Sequence, residues 1–305
     1  MSQQDIHDCL VIGAGPAGLV AATYLARFRR RPRLLDAGDS RALRIPLSHN
    51  FPGFPDGISG PDLLARMRQQ AARHGVEVEN IRVSKLLRDE EGIFHAEHDA
   101  GEVQARYVVL ATGALDVEPA MPALGEAVRA GHVRYCPICD GYEVIDCEVG
   151  VAGSGAHLVK EALFIRNFTE RLIAFSLSRE IALDAQQRKR LLEAGIRVVD
   201  EPVAQLLVED GQVKAVRAED GREYRFDSLY AAMGANVRSE LACHLGAEVD
   251  AKGNLVVDQR RYETSIPGLY AAGDVVRGLS QMAVAAGQAA VVATAIHHAL
   301  MRGGH

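Results

Sequence analysis

Two stretches of this 305-residue chain repeat one local pattern: an apolar strand, a glycine-spaced turn, a helix and a second strand. The first begins as a strand at residues 8–12 and enters the turn Gly13-Ala14-Gly15-Pro16-Ala17-Gly18. It continues with helical periodicity over 19–31 and returns as a strand over 32–35 that ends at Asp36. The second begins 140 residues later, with a strand at 148–152 and the turn Gly153-Ser154-Gly155-Ala156-His157-Leu158. A helix to about residue 167 and a strand at 171–175 follow. A strand that enters a helix through such a turn opens a βαβ unit, and two of them predict two parallel, doubly wound sheets. The fold class is therefore α/β, with two doubly wound three-layer nucleotide-binding-type domains, each with its own crevice. The apolar run 107–110 closes on Ala111-Thr112-Gly113-Ala114, and 268–272 closes on Gly273-Asp274; both read as pieces of the first sheet. The first domain is then discontinuous, 1–113 and 244–305, with the second, 114–243, inserted into it. Charged stretches at 90–102 and 209–225 read as β-hairpins turned by Gly92, Gly101, Gly211 and Gly221.

In the first turn, Gly13, Gly15 and Gly18 stand at G-x-G-x-x-G spacing. The first glycine allows the tight turn, the second lets backbone approach a pyrophosphate, and the third lets helix and strand pack closely. The helix N–H groups then face phosphate charge. Asp36 lies about 20 residues on, where a carboxylate can accept from ribose hydroxyls. Pro16 and Ala17 inside the turn, with Gly273-Asp274 downstream, tilt the ligand from NAD toward FAD. Glycine is abundant (29 residues) while aromatic residues are 5% of the chain with no Trp, which favours sites built from backbone.

Cys136-Pro137-Ile138-Cys139-Asp140-Gly141 carries the second chemistry. Cysteines three apart can close a small disulfide ring, and Pro137 suits the first position of a helix capped by Cys136. A helix N-terminus lowers a thiol pKa and raises its thiolate fraction. Asp140 supplies a carboxylate for proton transfer to and from a leaving thiolate. A zinc site would require two further ligands, and no second C-x-x-C exists, so no metal is expected. Cys9, Cys147 and Cys243 are isolated, and Cys147 reads as a small buried side chain. Five cysteines in a chain of this length suit a reducing cytoplasm rather than a secreted framework. A net charge of −6 argues against nucleic acid and against an anionic membrane surface. The basic group Arg27, Arg29, Arg30, Arg31 and Arg33 is expected to close the first helix and stay solvated. The apolar run 282–300, interrupted by Gln288, His297 and His298, is expected to be a buried core helix rather than a span.

These pieces, with His49-Asn50-Phe51-Pro52-Gly53-Phe54 and Gly234-Ala235-Asn236, resemble the bacterial low-molecular-weight thioredoxin reductases over about residues 8–300. The resemblance implies FAD across the first domain, a redox pair on the inserted domain facing the flavin, and a homodimer. It implies that Cys139 is the flavin-side sulfur and Cys136 the one that attacks an external disulfide. Asn50, Gln281 and Met282 would lie near the isoalloxazine, Asp274 at the ribityl chain, Asp36 at the adenosine ribose and the backbone near Val83 at the adenine. Ala111, Thr112, Gly113 and Gly273 belong to the same cofactor-binding motifs. The partner would be a thioredoxin-like protein or a small disulfide or dithiol.

The chain departs from that family where NADPH would bind. Leu158 stands at the third position of the second turn in place of a small residue. The His-Arg-Arg cluster that grips the 2′-phosphate is replaced by Phe175-Ser176-Leu177-Ser178, with Arg179 the nearest cation, and the Arg before Gln281 is Ser280. NADPH is therefore doubtful as donor. Relatives of this fold accept electrons from ferredoxin, carry a second flavin, or run in reverse as dithiol oxidases with oxygen. A conventional NADPH-dependent reductase and a non-enzymatic flavin/disulfide sensor are the competing expectations.

Overall fold

Cys9, Leu10, Val11 and Ile12 are apolar on both faces of their strand, and all four are buried. A strand of that kind sits inside a sheet covered on both sides. The computed structural model describes residues 6–119, 124–176, 183–209 and 212–303. In it the strand β1 (His7–Ile12) enters helix α1 (Pro16–Arg27), followed by β2 (Pro32–Asp36) and α2 (Gly60–Ala72). Next come β3 (Val78–Asn80), β4 (Val83–Arg88), β5 (Phe94–His98), β6 (Gly101–Leu110) and β7 (Ala114–Asp116). The chain continues through α3 (Leu124–Arg129), β8 (Val133–Arg134), α4 (Pro137–Asp140), β9 (Val149–Gly153), α5 (Gly155–Ile165) and β10 (Leu172–Ser176). Then follow α6 (Ala185–Glu193), β11 (Arg197–Val199), β12 (Val203–Glu209), β13 (Gln212–Ala218), β14 (Glu223–Arg225), β15 (Ser228–Ala232) and β16 (Ala235–Val237). It ends with α7 (Glu240–Cys243), β17 (Leu269–Ala271) and α8 (Met282–Arg302).

The first unit comprises Met1–Ile45, Phe51–Leu115 and Asn236–His305. Its sheet has the order β3-β2-β1-β6-β5-β4, with β17 also on β6. The members β3, β2, β1, β6 and β17 run parallel, and β4 and β5 extend β6 as an antiparallel meander. The second unit comprises Pro46–Asn50 and Asp116–Ala235. Its five-stranded sheet, β11-β10-β9-β15-β8, is wholly parallel, and β12-β13-β14 form a separate antiparallel sheet. Both glycine turns thus stand at the carboxyl end of a central strand, β1 and β9, as the repeated pattern predicts. The hairpins expected at 90–102 and 209–225 are β5–β6 and β12–β13–β14; Gly211 lies outside the described residues.

Three boundaries differ from expectation for physical reasons. Residues 236–243 belong to the first unit rather than to an insert ending at 243. The Arg238 N–H donates to Gly113 O (3.0 Å), its guanidinium pairs with Asp39 (2.8 Å), and Ala242 is buried in a core with Leu255. Residues 46–50, expected in the first domain, group with the second. The first helix stops at Arg27 because Arg29 adopts a left-handed φ of 59°. The arginines beyond it are engaged, not merely solvated: Arg30 Nε donates to His297 Nδ1, the Arg31 N–H donates to Asp8, and Arg33 pairs with Glu79. The C-terminal helix α8 buries one stripe, Ala285, Gln288, Ala289, Val292, Ala293, Ile296 and Leu300, while Val291 and Met301 stay exposed. It is a one-faced helix rather than a buried one, and by length and composition alone it could cross a membrane.

Candidate active site

The redox stretch lies where β8 hands over to α4. Pro137 opens the helix, Cys136 caps it, and the two sulfurs of Cys136 and Cys139 are joined as a disulfide with Cα atoms 5.3 Å apart. The N–H groups of Cys139 and Asp140 both donate to Cys136 O, at 2.9 and 3.3 Å. Gly141 is required by packing: a Cβ there would sit 2.6 Å from the Phe168 ring. From residues 46–50, Asn50 Nδ2 donates to Ile138 O (3.3 Å) while its Oδ1 accepts from Ser48 Oγ. The family resemblance gives Asn50 a place at a flavin; in the second unit it also ties this segment to the redox helix.

Asp140 is held on both oxygens. The Tyr230 hydroxyl donates to Oδ1 (2.8 Å) and Arg134 Nη1 lies 2.9 Å from Oδ2. Burial pushes the Asp140 carboxyl above its ordinary value, Arg134 and Tyr230 pull it down, and Glu143 pushes it up again. Burial and the neighbouring carboxylate also drive the Tyr230 phenol far above its usual range, so it donates a hydrogen bond but no proton. Neither Arg134 nor Tyr230 carries a motif; only the pairing of β8 with β15 shows that they belong together.

The second glycine turn is not a copy of the first. Gly155 takes a φ of +51°, whereas Gly15 has −72°. Gly153 lies against β15, where a Cβ would fall 2.3 Å from Ala232 O. Leu158 is fully buried in the second unit's core with Val151, Ala162 and Tyr230. The side chain at the third turn position is thus part of the packing. The described end of β10 is Phe175-Ser176; Leu177, Ser178 and Arg179 lie outside the described residues.

In the first unit the glycines pack as their spacing implies. A Cβ on Gly13 would lie 2.4 Å from Ala111 O, and one on Gly18 would lie 1.8 Å from Gly13 O. Gly15 is the N-cap of α1, Pro16 follows it, and no side chain caps the helix, while Ala17 and Gly18 are buried. Asp36 is buried, accepts the Ala14 N–H on Oδ1 (2.9 Å) and has Arg68 3.6 Å from Oδ2. The Ile81 N–H donates to Asp36 O (3.0 Å), which brings the start of β4, and buried Val83, beside it. Thr112 Oγ1 donates to Arg238 O (2.6 Å), and Gly113 takes a φ of +69°. Gly273 lies against Ala17, where a Cβ would come within 3.2 Å, and its N–H donates to Gln288 Oε1 (2.8 Å). Asp274 pairs with Arg41 (2.9 Å), Gln281 caps α8 and Met282 starts it. No motif singles out Arg41, Arg68 or Gln288, although Gln288 is the one amide in an otherwise apolar stripe.

These residues fit a dinucleotide flavin. The N-terminus of α1 has no side-chain cap, two glycines leave no Cβ in its approach, and Arg68 Nε is buried without a hydrogen-bond partner beside the Asp36 carboxylate.

Residues 7–290 match the family model described as pyridine nucleotide-disulphide oxidoreductase. The thioredoxin reductase of Mycolicibacterium smegmatis is 31% identical over 297 residues, 93% of each chain. The crystal structure of HlmI is 31% identical with a TM-score of 0.89, over 99% of this chain and 95% of that one. Thioredoxin reductase from Streptococcus pyogenes MGAS5005 superimposes with a TM-score of 0.88 at 26% identity, over 98% and 99%.

Proposed function

Because the chain belongs to the pyridine nucleotide-disulphide oxidoreductase family and is a disulfide oxidoreductase of thioredoxin-reductase type, we propose that it exchanges electrons between FAD and a disulfide or dithiol through Cys136 and Cys139, with a donor other than ordinary NADPH. The observation that carries the exchange is the Cys136–Cys139 disulfide at a helix start with the half-buried Asp140 next in sequence. The residues that would hold FAD are Gly13, Gly15, Pro16, Ala17, Gly18, Asp36, Val83, Ala111, Thr112, Gly113, Gly273, Asp274, Gln281 and Met282, with Asn50. When bound, the flavin supplies reversible two-electron storage.

The chain's own steps are thiol–disulfide exchange. Once the pair is reduced, the Cys136 thiolate attacks a sulfur of the external disulfide, forming a mixed disulfide and expelling one thiolate. Asp140 takes the proton of the Cys139 thiol and passes it to that thiolate. Cys139 then attacks Cys136, which re-forms the internal bond and releases the second thiol. The pair loses two electrons and the substrate gains them. The partner is a thioredoxin-like protein or a small disulfide.

The donor reading is supported by Leu158. A small residue at that turn position lets the helix of a dinucleotide site pack closely on its strand, and here a buried leucine takes part in the core instead. Mixing the purified protein anaerobically with NADPH, NADH and reduced ferredoxin side by side tests it. The flavin absorbance is expected to persist with NADPH. Rapid bleaching by NADPH, followed by thioredoxin-linked turnover, would establish a conventional reductase instead. A Cys136→Ser variant is expected to lose all thiol turnover; retained turnover would overturn the exchange itself.

A further inference from the structure

The strand register sets two donors on one carboxyl. In the parallel pair β8–β15, Arg134 is the Cα partner of Tyr230, so their side chains stand on one face of the sheet, and both reach Asp140. Arg134 is built into this position. Its Nε donates to Ser228 Oγ (3.1 Å), the Ser228 hydroxyl donates to Gly131 O (3.1 Å), and Ser228 is buried. Gly131, with φ +73°, makes room, since a Cβ there would come within 3.2 Å of Arg134 Nη2. Other charged groups around Asp140 are Glu143 on the following turn, with His49 3.9 Å from it. Helix α5, packed on α4, carries His157, Lys160 and Glu161; His157 and Glu161 pair with each other at 3.9 Å, and Lys160 acts on Glu161. Among the described residues, Arg134 is the cation in contact with the Asp140 carboxyl.

We propose that Arg134 is a positioning residue that keeps Asp140 ionised, so that Asp140 receives a thiol proton as the Cys136–Cys139 bond is broken and the site is suited to oxidising a dithiol. One substrate thiol gives its proton to Asp140 while its sulfur bonds Cys136; the Cys136–Cys139 bond breaks, and its electron pair stays on Cys139. The proton passes from Asp140 to Cys139. The second substrate thiol displaces Cys136, which takes up that thiol's proton, and the substrate leaves as a disulfide. The protein pair has gained the two electrons and two protons the substrate lost. The inference rests on the exchange chemistry proposed above but uses neither the flavin nor its donor. Burial raises the Asp140 pKa on balance, and the Arg134 guanidinium limits that rise.

The test mixes the disulfide form of the whole protein with dithiothreitol across a pH series. Iodoacetamide quenches the reaction, and alkylated Cys136 and Cys139 are counted by mass spectrometry. The rate is expected to rise through an acidic limb set by Asp140. Arg134→Gln should move that limb upward by about one to three pH units, Arg134→Lys should restore most of it, and Asp140→Asn should abolish it. A limb unchanged in Arg134→Gln, or surviving in Asp140→Asn, overturns the proposal. Should Arg134→Gln fail to fold, difference infrared spectroscopy of the wild type against Asp140→Asn decides. A carboxylate band at neutral pH supports the proposal, and a protonated carboxyl band overturns it. Turnover retained in Cys136→Ser would fell the exchange reading without moving this limb.

Discussion

At the scale of single residues, Gly18 carries one of the tightest requirements in the nucleotide-type turn. The neighbour a Cβ would meet there is backbone, Gly13 O at 1.8 Å, and Gly13 itself holds a φ of 104° that other residues rarely adopt. No side-chain rotation relieves that clash. Gly18→Ala is expected to cost about 1–3 kcal/mol or more through overpacking and to lower flavin content, as measured by thermal melting and by absorbance of the purified protein. A melting temperature equal to the wild type would show that α1 can slide on β1. Gly53 makes the contrast: its φ is +94° but nothing lies within 4 Å of where a Cβ would stand, so only backbone strain penalises a side chain there. Residue chemistry of this sort is legible in a sequence when the requirement is local. The glycine spacing announces the turn, and Cys136-Pro137 announces a capped helix. Arg134 and Tyr230, in contrast, serve Asp140 from strands almost a hundred residues apart, and no local spacing encodes a strand register.

At the scale of elements, the β4–β5–β6 meander is clamped by one side chain. His95 on β5 lies 2.9 Å from Asp89 through Nε2 and 2.9 Å from Glu102 through Nδ1. The hydrogen bonds to Asp89 and Glu102 hold the His95 pKa above its ordinary value. His95 in turn lowers Asp89, while Gln104 and then His95 lower Glu102. A raised histidine contributes stability that is complete below its unfolded value near 6.5 and is lost as pH climbs through the folded one. The lowered carboxylates contribute above their ordinary range and lose that contribution as pH falls through their folded values. The clamp is therefore whole between the carboxylate range and about pH 6.5, and fades from there through the raised histidine value. His95→Gln should lower the melting temperature more at pH 6 than at pH 9; an equal or reversed difference would show that His95 clamps nothing. The hairpins themselves are readable from their glycine turns. The length of α1 is not, because the basic run after Arg27 looks helical and only the left-handed Arg29 shows where the helix stops.

At the scale of the whole molecule, each unit has buried cores of its own. Leu19, Val109 and Val292 belong to one cluster of the first unit and Leu10, Phe94 and Leu269 to another, while Leu158, Leu191 and Tyr230, and separately Phe175, Val216 and Phe226, serve the second. Calorimetry is expected to resolve two unfolding transitions, with added FAD raising the one that belongs to the first unit by ligand linkage. A single transition that FAD shifts as a whole would show that the units unfold together. The two-domain plan is legible because the glycine pattern occurs twice. The point of return is not, because Gly234-Ala235-Asn236 carries the family resemblance without marking a boundary, and residues 235–237 are fixed by pairing with 114–116.

That pairing has a genealogical consequence. The polypeptide leaves its first sheet along β7 and comes back along β16, its neighbour in a two-stranded ribbon, with Val117 N–H on Gly234 O and Arg238 N–H on Gly113 O. A cassette whose two stems are already laced together can be exchanged between related genes without redesigning the host sheet, provided residues 46–50, which group with it, are exchanged as well.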